Sequence, residues 1–258
     1  MIKLENICSG YGQEIKVENV TVSFQANQIT TIIGPNGCGK TTLLKTACRL
    51  LRPFSGTVTL DGQNFTDIPP KEFARQVSVL PQGRNVPNIT IENLVTHGRF
   101  PYLGFARKIK KEDKEIVLNA LEMVGMADKR NNNVMELSGG ERQKVYIAML
   151  IAQNTKILFL DEPTTYLDLN HQFEVLEMMK KLRGQGKTII MVLHDIGQAL
   201  TYSQRICLMD HGKILMDDEA NKVGESGLID QVFQVHSQVM EIAGKKVYYF
   251  MPSASISK

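Results

Sequence analysis

Polar and apolar residues alternate along the first 33 positions, as in Ile15-Lys16-Val17-Glu18-Asn19-Val20-Thr21-Val22-Ser23-Phe24. A period of two predicts half-buried antiparallel strands. Three runs lose the alternation and are apolar or β-branched: 29–33, 157–160 and 188–193. Such runs suit parallel strands covered on both faces. Between the last two, 173–182 carries apolar residues at helical spacing, which completes a βαβ unit. Two shorter strands are predicted: 56–60, closed by an Asp61-Gly62 turn, and 77–80, which stops at Pro81 with Gln82 directly behind it. From 85 to 153 the texture is helical, with Val117, Ala120, Leu121 and Val124 at i, i+3, i+4 and i+7 and Gly125 as the stop. The pattern therefore predicts one α/β domain spanning 1–258. Its core is 1–84 and 154–258, its N-terminal strands are antiparallel, and 85–153 is an inserted α-helical subdomain. Past residue 224 no chemistry is legible.

The 258 residues suffice for a full core, and 43% hydrophobic and 22% charged content is that of an ordinary globular protein. A net charge of +3, evenly mixed, argues against nucleic acid as a partner. Cys8, Cys38, Cys48 and Cys207 have no paired or metal-ligand spacing and read as reduced thiols of a cytosolic protein. No signal segment or bilayer-length apolar run is present, so work at a membrane would need a partner to hold the chain there.

Candidate chemistry concentrates at the ends of the apolar runs. Gly34-Pro35-Asn36-Gly37-Cys38-Gly39-Lys40-Thr41 fits the phosphate-binding pattern G-x-x-x-x-G-K-[ST], with a strand before it and a helix from Thr42 onward. Its glycines let backbone N–H groups turn inward on a nucleoside triphosphate, and the helix adds its positive end. Lys40 would reach the β and γ phosphates and the Thr41 hydroxyl would take a Mg²⁺ position. Cys38, beside Lys40 and a helix start, is expected to have a lowered pKa and to react readily. Asp161, after four apolar residues, suits Mg²⁺ as a partner, and Glu162 can polarise an attacking water. Ligands of parallel sheets bind outside the carboxyl ends of the strands, so the loop, Asp161-Glu162 and His194 can converge on one phosphate tail. Two features admit two readings each. Tyr11, between Gly10 and Gly12, either stacks on a purine or packs at a strand end. Ser138-Gly139-Gly140-Glu141 is a capping box, or a helix N-terminus whose glycines bare N–H groups for an anion.

Taken together these residues resemble the ATP-binding cassette family of ATPases, over most of the chain up to about residue 220. Leu137-Ser138-Gly139-Gly140-Glu141-Arg142-Gln143 is similar to the family's signature sequence. The resemblance implies a P-loop NTPase (RecA-like) parallel-sheet core, with ATP and Mg²⁺ as cofactors. It implies that Tyr11 stacks on adenine, that Gln82 contacts Mg²⁺ and the attacking water, that Glu162 is the catalytic carboxylate, that Asp168 is the D-loop aspartate, and that His194 is the switch histidine. It further implies a head-to-tail homodimer formed on ATP binding, with Ser138, Gly139 and Gly140 of one subunit closing over ATP of the other.

Thr96 to Tyr102, the stretch Pro163 to Gln172 and the ending around Tyr248 resemble ATPase subunits of ferric siderophore, haem or cobalamin importers. That places the protein on the cytoplasmic side of the membrane, peripheral to separate permease subunits and indirectly linked to an extracytoplasmic substrate-binding protein. Haem, cobalamin or metal-ion import and a soluble non-transport role remain alternatives. A GTPase is excluded for want of an Asn-Lys-x-Asp motif. In this family a permease helix would press on 85–102, with Arg99 as a contact residue. His97 and His171 read as surface or helix-end histidines rather than iron ligands.

Overall fold

The computed structural model describes residues 1–83, 86–104, 108–242 and 244–253, so the boundary expected at 84–85 lies outside the described residues. Internal contacts divide the chain into two compact units, Met1–Phe65 with Thr188–Lys258, and Thr66–Lys187.

The first unit opens with β1 (Ile2–Tyr11) and β2 (Glu14–Phe24), paired antiparallel from Ile2↔Phe24 to Tyr11↔Glu14. The register shifts within this pair, and Asn6 and Asn19 take positive φ of 52° and 49°. These bulges absorb extra residues, which is why Leu4 and Ile7, like Val17 and Val20, face the core despite odd spacing. Next come β3 (Ile29–Ile33), α1 (Lys40–Ala47), β4 (Ser55–Leu60) and the two-residue β5 (Gln63–Asn64). The antiparallel sheet runs β2-β1-β4-β5. Asp61 and Gly62, at φ 49° and 86°, make the tight turn that the Asp-Gly pair predicts.

The second unit contains α2 (Pro70–Gln76), β6 (Val77–Leu80), α3 (Ile91–Thr96), α4 (Lys111–Met123), α5 (Gly139–Gln153), β7 (Ile157–Asp161) and α6 (Leu169–Gly184). β6 and β7 pair in parallel from Val77↔Ile157 to Leu80↔Leu160. α3, α4 and α5 pack on one another through Ile91, Leu94, Val117, Leu121, Val145 and Ala148, all buried. α6 starts four residues earlier than its apolar spacing predicts, because the unburied turn Leu169 to Gln172 is held by the Asp168 cap and not by burial.

Arg99, expected as a surface contact for a permease, is instead 6% exposed, inside a 3-10 turn (His97–Tyr102). Its Nε donates to Asp113 Oδ1 at 2.9 Å, its Nη1 to the Ala152 carbonyl at 2.6 Å, and the guanidinium lies 4.0 Å from the Tyr102 ring centre. Three satisfied contacts make burial of the charge tolerable. Burial pushes the Asp113 carboxyl up, but the Arg99 hydrogen bond and the Lys110 N–H outweigh it and hold its pKa below the usual carboxylate range.

The chain then re-enters the first unit through β8 (Thr188–Val192), α7 (Ile196–Tyr202), β9 (Arg205–Asp210), β10 (Lys213–Glu219), α8 (Ala220–Glu225), α9 (Leu228–Phe233), β11 (Val235–Ile242) and β12 (Lys245–Pro252). β3 lies between β8 and β9, parallel to both, with β10 antiparallel on β9. Every residue of β3 and β8 is buried, their β-branched threonines included, as in strands covered on both faces. The architecture is therefore α/β, with parallel strands at its core and antiparallel strands at its N-terminus. The tail that offered no chemistry forms a ribbon of β11 and β12, anchored by the Tyr248 ring against Gly224.

Candidate active site

In the first unit the phosphate loop joins β3 to α1. Gly39 caps the helix at φ 104°, and a Cβ there would stand 2.4 Å from the Lys16 carbonyl, so the position admits only glycine. Lys40 is buried and folds back onto its own loop, donating to the carbonyls of Gly34 at 2.8 Å and Pro35 at 2.9 Å. Asn36 and Gly37 form the exposed crown of the loop, while Thr41 and the buried Thr42 lie in the first turn of α1. That turn carries no acidic residue, which leaves the positive end of the helix available to an anion. A cleft of about 710 Å³ lies beside the loop, lined by Lys16, Asn36, Gly37, Asp210 and His211. β3 and β8 are parallel neighbours with Ile32 opposite Val192, so His194, exposed just past β8, leaves the sheet at the same end as Gly34. Tyr11 ends β1 with 46% of its surface exposed and the Lys45 ammonium 5.8 Å from its ring centre.

Cys38 departs from the sequence-based expectation. Its thiol is buried, and burial pushes its pKa up by more than the adjacent Lys40 charge and the Lys40 N–H bring it down.

In the second unit the parallel pairing of β6 with β7 brings Gln82 and Asp161-Glu162 to one end. The Gln82 amide donates to Glu162 Oε2, which also accepts from the Thr165 hydroxyl at 3.2 Å. Glu162 takes φ 52°, a left-handed backbone uncommon for a side chain of this size. Asp161 is 1% exposed at the last position of β7. A cleft of about 260 Å³ gathers Gln82, Asp161 and Glu162 with Gly139, Arg142 and Tyr166.

Of the two readings of Ser138, the capping box is present. The Ser138 hydroxyl accepts from the Glu141 N–H at 3.3 Å and the Glu141 carboxylate from the Ser138 N–H at 3.0 Å, a complete capping box. Ser138 and Gly139 are nevertheless exposed at the start of a 15-residue helix. Two residues that the sequence argument left without roles tie this turn to its surroundings. Gln143 Nε2 donates to the Pro163 carbonyl at 2.6 Å, and the His171 ring reaches Gly140. Asp168 caps α6 through the His171 N–H, 2.9 Å away. The only local signal for His171 was its place three residues after a capping aspartate.

The ABC transporter family model matches residues 17–165. This chain belongs to that family. Among curated proteins, the iron(3+)-hydroxamate import ATP-binding protein FhuC of Bacillus subtilis is 40% identical, over 93% of this chain and 90% of its own length. The ferric enterobactin transport ATP-binding protein FepC of Escherichia coli is 39% identical, over 92% of this chain and 88% of its own. A dimeric structure of the ATP-binding cassette MJ0796, in a post-hydrolysis state bound to ADP and Pi, superposes with a TM-score of 0.75 at 29% identity, covering 85% of this chain and 99% of that one. The resemblance drawn from the Leu137 to Gln143 sequence is borne out: the chain is an ATP-binding cassette ATPase with the P-loop NTPase fold. No helix among the described residues is long and apolar enough to cross a membrane.

Proposed function

We propose that this chain is the ATP-hydrolysing subunit of an importer for a ferric siderophore-like iron chelate. It works as a head-to-tail homodimer on separate permease subunits at the cytoplasmic side of the membrane, and an extracytoplasmic binding protein delivers the chelate. The observation that carries the chemistry is the Glu162 carboxylate, held by Gln82 and Thr165 beside a buried Asp161. In this reading Glu162 is the general base that orients and deprotonates the attacking water. Lys40 and the loop N–H groups bind the β and γ phosphates, Tyr11 stacks on adenine, and His194 contacts the γ phosphate. Ser138 with the N–H groups of Gly139 and Gly140 closes over the partner's nucleotide, and Asp168 orders the loop before α6.

Thr41, Gln82 and Asp161 offer hydroxyl, amide and carboxylate oxygens, the donor chemistry that Mg²⁺ prefers. When bound, Mg²⁺ would neutralise charge that develops on the phosphates.

The substrate class rests on the importers that share about two fifths of their residues with this chain along nearly its whole length. Copurification with its permease and reconstitution in liposomes tests it. Uptake of a ferric hydroxamate or catecholate should require ATP and the loaded binding protein. Uptake of haem or cobalamin with no ferric chelate transported would replace the substrate class, and ATP turnover indifferent to the permease would remove the transport reading.

A further inference from the structure

His171 sits where the start of α6 meets the start of α5. Asp168 already caps the helix by accepting the His171 N–H at 2.9 Å. The ring makes a second, separate contact: Nδ1 lies 2.8 Å from both Asp168 oxygens, and a carboxylate only accepts, so Nδ1 carries the proton. One face of the ring lies against α5. A Cβ built on Gly140 would stand 2.8 Å from Cδ2, 2.9 Å from Cγ and 3.0 Å from Nε2 of His171, closer than real Cβ atoms approach. Gly140 is in ordinary helical backbone, where alanine would otherwise be the better residue. Its glycine is thus explained by the imidazole packed over it. The charges that face the ring are Asp168 and, one turn on, Glu174, which is paired with Lys144 at 2.5 Å.

We propose that His171 is a positioning residue, a rigid spacer that holds the Ser138 to Gly140 turn at a set distance from Asp168. The proposal rests on the reading that this turn closes over the partner's nucleotide. An imidazole suits the task because it is flat and donates from its Nδ1 edge while one face packs on a bare Cα. Movement of the loop that carries Asp168 is then transmitted to the turn by contact. Displacement by about an ångström in such an element is enough to cost one to two orders of magnitude in rate.

The test compares His171→Ala, Gly140→Ala and the double variant. His171→Ala should lower kcat about tenfold with the ATP dissociation constant and melting temperature near those of the parent protein. Gly140→Ala should also be slow, because its methyl group meets the ring. The double variant should be no slower than Gly140→Ala alone, since removing the ring makes room for the methyl. Parental turnover in His171→Ala, or effects that multiply in the double variant, would overturn the proposal. A Glu162→Gln background separates this from the parent reading. If Glu162→Gln itself does not dimerise on ATP, the shared-site reading fails. If it does, and Glu162→Gln with His171→Ala dimerises at the same ATP concentration, only the role of His171 fails.

Discussion

A side chain's chemistry depends on what surrounds it, and two residues reverse their expected behaviour for that reason. Beside Lys40 and a helix start, Cys38 was expected to be an activated thiol, but burial dominates and raises its pKa. Maleimide should therefore modify it slowly at neutral pH and faster as pH rises, with MgATP giving further protection. Rapid modification at neutral pH would contradict the buried placement. Arg99 was expected at a docking surface, yet its charge is compensated inside the protein by Asp113, Ala152 and Tyr102. Arg99→Ala should cost about 3–5 kcal/mol by leaving Asp113 buried and unpaired, read by denaturant unfolding. A stable variant that loses only permease stimulation would restore the docking role. At Glu162, glutamine keeps size and hydrogen bonding but removes the base. ATP should still bind while hydrolysis falls by roughly two or more orders of magnitude. Turnover at the parental rate would remove Glu162 from the mechanism.

Helix starts are where single elements meet the chemistry. α5 begins in a reciprocal cap, and Glu141 is also paired with Lys129. The Lys129 hydrogen bond first, and the Ser138 N–H and hydroxyl after it, hold the Glu141 pKa down from 4.5 to about 2. A carboxyl whose pKa is depressed on folding stabilises above its unfolded value and loses that contribution as pH falls through its folded value. The cap should therefore be intact above about pH 4.5 and be lost as pH approaches 2, which a carbon-detected NMR titration of Glu141 would report. A midpoint near 4.5 would mean that the Lys129 pair and the cap are absent in solution. Ser138→Ala, which removes half of the box, should cost about 1 kcal/mol.

For the whole molecule, the proposed dimer makes a demand that no single-chain NTPase makes. Ser138→Arg places a bulky cation on the exposed turn and leaves the phosphate loop of the same chain untouched. The monomer should bind ATP with near-parental affinity, yet fail to dimerise in the Glu162→Gln background and fail to hydrolyse ATP. Loss of ATP binding would instead put Ser138 on its own chain's nucleotide, and unchanged turnover would end the shared-site reading. Much of this protein was determined by the sequence alone, because the relevant signals are local. The phosphate loop, the capping box, the Asp61-Gly62 turn and the β-branched or apolar runs of β3, β7 and β8 are each signalled by residues a few positions apart in the chain. Tertiary structure alone decided the desolvation of Cys38, the enclosure of Arg99, the Gln82 hydrogen bond to Glu162 and the approach of His171 to Gly140. Each of these depends on segments distant in the chain arriving at one place, where burial changes the free energy of a charge and where a missing methyl group can be required by a ring 31 residues away, at position 171 against 140.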